Sequence, residues 1–473
     1  MSGAAVNRVE RPAAAFERAG LQGAGLNVAA SAVPAPRRDE GREAAAEPDL
    51  AGRAFLFLQG PASPFAWRLA QALRRRGARI VKVHLCGGDL VFWPGRARLY
   101  RGRLEDWPAY VERLMTEEAL SDLVLFGDCR PYHVPAILAA RARGIGLHLL
   151  EEGYFRPGWI TRERHGVNAH SDLPRTPEGL RAAAAETPEP VRPRVAASEP
   201  FARRAAWDVA WHAGYAALAP LFARYRRHTL VHPMVDYAGW LARWFNAAAA
   251  RERDRLAQTA LVGRATYFLL PLQLEGDFQM RVHSSFGSAR EVVRLVFASF
   301  AATAPKAARL VVKRHPYDTR LPATRHMIAR LIDEYGLKGR VLFLENGDID
   351  TLVARSSGVV LVNSTTAIAA LRHGRPLKVL GRATYDMPGL AHQGALDGFW
   401  SAPPPPDPAL VRAYCRLVLA RTQIGGGFFA PESIARAVEG LVARMATEDR
   451  VAQDRAAQDE AADDPMTGEA QPA

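Results

Sequence analysis

The stretch LLPLQLEGDFQMRVHSS, Leu269 to Ser285, crowds Gln273, Glu275, Asp277, Gln279 and His283 directly behind an apolar run. Carboxylates, amides and an imidazole so close together suit a site that grips or attacks a polar substrate, although a strand can also simply run into a solvated loop. Three other stretches repeat the pattern. VVKRHPYD ends on Lys313, Arg314 and His315, donors that suit a phosphate or a carboxylate. VVLVNSTTAIAALRHG stops at Asn363 and sets Ser364 and Thr365 at the start of an alanine-rich helix. Hydroxyls and backbone N–H groups there can cradle a phosphate, or merely cap the helix. LLEEGYFRPGWITRERHG carries Glu151 and Glu152, then Arg156, Trp159, Arg162, Arg164 and His165. A strand-end glutamate can act as a general base toward a hydroxyl, or it can pair with the neighbouring arginines.

The elements that must hold these groups alternate. AFLFLQG reads as a strand and SPFAWRLAQALRRRG as a helix, with Ser63 and Pro64 at its start and Gly77 at its end. Strand and helix signals continue to IGLHLLEEG, and a second alternating unit runs from TYFLLPLQ to PLKVLG. Such alternation predicts α/β architecture with parallel sheets, in which ligands lie outside the carboxyl ends of the strands. Gly60, Asp89, Asp128 and Glu152 stand at such ends in the first unit. Two Rossmann-like domains in succession make a GT-B-like arrangement. The expected organisation is a disordered leader over 1–52, a Rossmann-like domain over 53–171 and a linker over 172–200. An aromatic and basic helical segment follows over 201–260, then a second Rossmann-like domain over 261–403, closing helices over 404–446 and a disordered acidic tail over 447–473. Trp207, Trp211 and Tyr215 recur at helical spacing, which fits packing onto the core or a surface resting on a membrane interface.

Composition bounds the function. The 473 residues are 48% hydrophobic, enough for two cores, and no apolar run reaches the length of a membrane-spanning helix. No secretory signal pattern opens the chain, and Cys86, Cys129 and Cys415 show no metal or redox spacing, so a cytoplasmic protein with reduced thiols is expected. The net charge is +13, and because the tail from Thr447 carries −6, the rest carries +19. That charge suits an anionic membrane surface, a phosphorylated substrate or nucleic acid. No nucleic-acid reader motif accompanies it, so nucleic acid is not expected as a partner. Dinucleotide, P-loop, HExxH and nucleophile-elbow motifs are missing too. The acidic triplet Asp348 to Asp350 reads as a helix start rather than a metal motif.

Four motifs in order, LEEGYFRPGWIT with GVNAHSDLP, then LPLQLEGDFQMRVHSSF, KRHPYD and VNSTTAIAALRHGRPLKVLG, resemble the capsular polysaccharide biosynthesis/export family, the bacterial Kps/Lip-type β-Kdo transferases. The resemblance covers Phe55 to Gly381 and is to the single-module, initiating type. It implies transfer of Kdo from CMP-β-Kdo to a (lyso)phosphatidylglycerol acceptor at the inner face of the cytoplasmic membrane, with retained configuration. Retention through two displacements needs a carboxylate nucleophile. The matching position is Asp277, with Glu275 as its competitor and Gln273 and Gln279 flanking the sugar. Glu152 is the implied base, with Glu151 as the alternative. His315, Lys313 and Arg314 would hold the Kdo carboxylate or the CMP phosphate. Asn363, Ser364 and Thr365 would hold the nucleotide phosphate, and Arg156 joins the substrate-binding set. No metal and no cofactor beyond the CMP-sugar donor is implied, and other capsule assembly proteins are possible partners. Two alternatives remain: a non-catalytic capsule assembly or export factor of the same fold, and a transferase using another CMP-nonulosonic acid.

Overall fold

The computed structural model describes residues 50–190, 201–227, 233–261, 266–274 and 282–462. Glu275, Asp277 and Gln279 therefore lie outside the described residues, as do most of the leader, the second part of the 172–200 stretch and the end of the tail.

The described strands form two sheets. The first contains β1 (Ala54–Phe57), β2 (Arg79–His84), β3 (Arg98–Leu99), β4 (Asp122–Phe126), β5 (Gly146–Glu152), β6 (Trp159–Glu163) and a late strand, β12 (Gln423–Gly425). The second contains β7 (Tyr267–Pro271), β8 (Arg309–Lys313), β9 (Val341–Leu344), β10 (Gly358–Leu361) and β11 (Leu377–Val379). The orders are β3-β2-β1-β4-β5-β6-β12 and β9-β8-β7-β10-β11. Read outward from the first strand, each sheet contains the same parallel 3-2-1-4-5 order, the doubly wound Rossmann pattern expected of both units. Only β6 and β12 run antiparallel to their neighbours.

Helices cover both faces, so central strands are apolar on both sides, and every residue of β7 is buried. Ser288 starts the helix Ala289–Thr303 by accepting from Glu291 N, while Glu291 reaches back to Gly287 N at 2.9 Å, a reciprocal cap. The buried face of that helix sets Val296, Phe297 and Phe300 against Phe268, Leu310 and Trp400. Each such aromatic contributes roughly 1.5–3 kcal/mol through burial. Asp348 caps the helix Ile349–Ala354 through Thr351 N, which gives the acidic triplet the helix-start role expected of it.

Three segments depart from the expected layout. Within 172–200, Thr176 caps a helix, Pro177–Ala185, whose Leu180 and Ala184 join the core of the second half. Its alanine-rich sequence concealed that apolar face. Between the closing helices the chain forms β12, which pairs with β6 and so returns to the first sheet. The last helix, Pro431–Ala462, then packs Ile434, Leu441 and Met445 against Phe55, Phe65 and Ile160, and it extends well into the acidic tail. The aromatic stripe divides in two. Trp207 packs near Phe92 and Phe429, and Trp211 stacks on Tyr215, whereas Trp244 and Phe245 are 61% and 71% exposed.

The return of the chain depends on Gly426. Its φ is +137°, and a Cβ there would collide with Ser433 O and Ala437 N. Gly426→Ala should lower stability by about 2 kcal/mol or more, read as a reduced urea midpoint at unchanged slope.

Glu163 on β6 is buried, accepts from Ser171 Oγ and lies 3.5 Å from the Tyr154 hydroxyl. Burial pushes its carboxyl up to about 8, against the opposing Ser171 hydrogen bond. The folded chain thus keeps a proton that the unfolded chain loses near pH 4.3. Its contribution is complete below that pH and is lost as pH rises through about 8. Glu163→Gln should flatten this dependence and exceed the wild type in stability at pH 9, checked by urea unfolding between pH 5 and 9.

Candidate functional site

Contacts between the two halves gather at the carboxyl ends of the parallel strands. Cys129, just beyond β4, has its Sγ 3.8 Å from His283 Nε2, and the rings of His170 and His283 meet edge to face at 4.6 Å. Arg175 donates to Ala383 O at 3.1 Å, and the Arg204 guanidinium lies 5.0 Å over the Tyr317 ring. The two sheets thus share one cleft, lined by groups that their buried strands could carry only at the ends.

At the end of β5, Gly153 follows Glu152 because a Cβ there would meet the Trp159 carbonyl, to which Gly153 donates at 3.0 Å. Glu152 is ion-paired to Arg156 at 2.8 Å and to Arg204 at 2.9 Å. Burial favours its neutral form, yet the two guanidiniums hold the carboxyl below its ordinary value. In this state Glu152 is a weak proton acceptor, matching the ion-pair alternative read from the sequence. Arg204, from the aromatic helix, was not foreseen as a partner. Arg156 also donates to Gly153 O at 3.1 Å.

The β8 end divides its three cations. Lys313 Nζ is turned inward onto the carbonyls of Arg314 and Glu345, at 3.0 and 3.1 Å. Arg314 is almost wholly buried and donates to Asp318 O at 2.6 Å. Both hold the loop's backbone in this state, so His315 is the group left at the cleft. Tyr317 N donates to His315 Nδ1 at 3.1 Å, which puts the ring proton on Nε2. Burial, with Arg156 and Lys313 adding to it, lowers the imidazole to about 4, so it is neutral near pH 7.

The ends of β7 and β10 are clasped together. Gln273 Nε2 donates to Asn363 Oδ1 at 2.8 Å, and Asn363 N donates back to Gln273 Oε1 at 3.1 Å. Ser364 Oγ accepts from Thr366 N at 3.2 Å, and Tyr385 donates to Ser364 O. Thr365 precedes a seven-residue helix, Thr366–Arg372, without a side-chain cap. Ser364 therefore acts locally as a turn hydroxyl.

A second cluster was not singled out from the sequence. Asp128 Oδ2 accepts from His170 Nδ1 at 3.1 Å and from Val167 N at 3.3 Å, and the Cys129 thiol lies 3.0 Å from Asp128 Oδ1. His283 is fully buried, its Nδ1 has no partner among the described residues, and burial lowers it to about 4. Asp128, Cys129 and His283 offer ligand atoms within 4.8 Å of one another. A carboxylate, a thiol and an imidazole so arranged can hold a zinc-class cation. The available signal was FGDCRPYH, which ends an apolar strand as the four singled-out stretches do.

The cleft therefore offers two uncharged imidazoles, a clamped carboxylate and several arginines around the ends of five parallel strands, a set able to bind an anionic substrate and move a proton. Comparison with known proteins now gives it a context. A family profile described as "Capsule polysaccharide biosynthesis protein" matches residues 121–429. The chain is 35% identical over 389 residues to the capsule polysaccharide export protein KpsS of Escherichia coli, covering 80% of this chain and 98% of that one. It is 33% identical over 396 residues to the capsule polysaccharide modification protein LipB of Neisseria meningitidis serogroup A, covering 80% and 91%. Among solved structures it is similar to a KpsC β-Kdo 2,7 transferase of Thermosulfurimonas dismutans, with 13% identity, 82% of this chain and 99% of that chain covered, and a TM-score of 0.41. The chain belongs to the capsule polysaccharide biosynthesis protein family.

Proposed function

We propose that the chain is a retaining glycosyltransferase that moves Kdo from CMP-β-Kdo to a lyso-phosphatidylglycerol acceptor, starting the oligo-Kdo linker of an exported capsule. One observation carries the reading. The stretch containing Asp277 has both flanks fixed in the cleft, Gln273 by its clasp to Asn363 and His283 by its contacts with Cys129 and His170.

In the first displacement the Asp277 carboxylate attacks the anomeric carbon of Kdo. The bond to the CMP phosphate oxygen breaks, CMP departs, and a glycosyl–enzyme ester remains. Glu275 is the competing nucleophile, and Gln273 and Gln279 bind the sugar. His315, with its proton on Nε2, donates to the Kdo carboxylate or the CMP phosphate. Lys313 and Arg314 support that loop, while Asn363, Ser364 and Thr365 contact the nucleotide phosphate. In the second displacement an acceptor hydroxyl attacks the same carbon, its proton passes to Glu152, or to Glu151 beside it, and the ester to Asp277 breaks. Glu152 can accept that proton once the carboxylate of the enzyme-bound Kdo draws Arg156 or Arg204 away from it, so formation of the intermediate switches on the base. Neither displacement uses a metal ion.

Attachment is at the inner face of the cytoplasmic membrane. No helix among the described residues is long and apolar enough to cross a membrane. What supports a peripheral contact is the exposed Leu241, Trp244 and Phe245 on the helix Pro233–Leu261, beside Arg243 and Arg251.

Intact-protein mass spectrometry after incubation with CMP-Kdo should reveal a Kdo-sized adduct on the wild type that is missing from Asp277→Ala, with transfer reduced at least ~10³-fold. Equal turnover by both proteins would move the nucleophile to Glu275. Failure of every CMP-activated sugar to give adduct or product would favour the assembly-factor reading. An adduct from another CMP-nonulosonic acid alone would change the donor.

Glu152→Gln should still form the adduct but transfer it ~10²-fold or more slowly. A variant that changes only the donor KM would make Glu152 an arginine clamp instead.

A further inference from the structure

A cavity of about 150 Å³ opens at the ends of β1 and β4 in the first half, beneath the helix Phe201–Ala217. Its walls include Gln59, Arg130, Trp211, His212, Tyr225 and Arg227. Arg130 is the unusual member. Burial destabilises its charged form, and the nearest acceptors to its guanidinium are the backbone and side-chain oxygens of Gln59, both at the long distance of 3.5 Å. Its other close neighbour is the Phe126 ring, at 5.2 Å. Two acids act on Arg130 without touching it among the described contacts: Asp89, which accepts from Gln59 Nε2 and Leu85 N at 2.9 Å each, and Glu151 at the end of β5. Arg130 is half-buried, and a partly desolvated cation with no carboxylate in contact among the described residues is stabilised by an anion that joins it.

The surroundings favour such an anion. Arg227 lines the same cavity, and a smaller one that shares Gly60, Pro61 and Trp211 with it is lined by Asp89 and by Lys82, whose Nζ donates to Leu58 O at 2.8 Å. The acid in the wall, Asp208, is engaged by Tyr237 at 3.1 Å and by His212 at 3.3 Å. The Tyr225 phenol, 3.3 Å from Gln59, stays protonated and can donate, while Trp211 and Tyr225 provide apolar ring surface. The helix that supplies Trp211 and His212 also packs against Pro233–Leu261, through His212 on Tyr237 and Phe201 on Trp240. The exposed Trp244 and Phe245 belong to that second helix, further along it than Tyr237 and Trp240.

We propose that this cavity binds the phosphate-bearing glycerol headgroup of the acceptor, with Arg130 and Arg227 as its cationic partners. Calling the ligand an acceptor rests on the transferase reading above; the cavity's demand for an anion does not. The headgroup then sits on the first half and the CMP-sugar on the second, with the shared cleft between them.

Two measurements on the full chain test the proposal. The first titrates wild type, Arg130→Gln and Arg227→Gln with glycerophosphoglycerol, inorganic phosphate and CMP, followed by calorimetry. Saturable binding of glycerophosphoglycerol should weaken at least tenfold in each variant, with Arg130→Lys recovering part of it. Unchanged affinity in both variants overturns the proposal. Inorganic phosphate binding as tightly as glycerophosphoglycerol makes the cavity a general phosphate site and overturns the headgroup assignment, and loss of CMP binding alone makes it a donor site. Thermal melts of each variant identify any loss that reflects unfolding, and Arg227→Gln, outside the sheet, provides the reading if Arg130→Gln does not fold. The second measurement compares steady-state kinetics. Arg130→Gln should raise the KM for lyso-phosphatidylglycerol at least tenfold and leave the CMP-Kdo KM and the covalent adduct unchanged, whereas a raised CMP-Kdo KM overturns the assignment. If the wild type transfers no sugar at all, the transferase reading fails, and the titrations still decide the cavity.

Discussion

A parallel strand covered by helices on both faces can present polar side chains to a ligand only where it ends, and any within it must be paired. That constraint organises this protein. β1 and β4 in one half, and β7, β8 and β10 in the other, are mostly apolar along their lengths and lead into Gln59, Asp128, Gln273, Lys313 and Asn363; β5 ends in Glu152 and holds one polar group in its middle, His148, which is paired with Asp122 and Arg162. The halves meet across those ends, so a rule of backbone hydrogen bonding and apolar burial becomes a rule for where chemistry can occur.

Positive charge is distributed through this cleft in graded degrees of restraint. Lys313 and Arg314 are spent on backbone carbonyls and hold a loop. Arg156 and Arg204 are paired with Glu152 and can change partners when a stronger anion arrives. Among the described residues, Arg130 contacts no carboxylate and meets acceptors only at 3.5 Å. Satisfied, exchangeable and under-compensated cations thus lie within one strand-end region. His315 and His283 remain neutral near pH 7 because burial outweighs the acids around them.

Much of this was legible in the sequence. The apolar runs that announced β1, β4, β7, β8 and β10 are those strands, because a segment buried on both faces can hardly be anything else. Residue type at strand ends was equally readable, but side-chain direction was not: nothing in KRHPYD shows that Lys313 and Arg314 turn inward while His315 remains at the cleft. The Asp128, His170 and His283 cluster is held together by tertiary structure, with Cys129 and His283 separated by 154 positions, so no local spacing could announce it. β12 is three residues long, too short to carry a period, and the helix within 172–200 has an alanine-rich face that resembles composition bias.

The return of the chain to its first sheet bears on the order of assembly. β12 covers the edge of β6, and the helix after it seals Phe55, Phe65 and Ile160. During synthesis, the first half leaves the ribosome with an open sheet edge and an uncovered aromatic face, and both stay open until more than two hundred further residues have been made. The five described strands of the second half and the helices between them lie within one continuous run, and the helix Pro408–Thr422 that seals their core comes directly before β12. The later-made half can therefore finish first, and it delivers the segment that completes the earlier one.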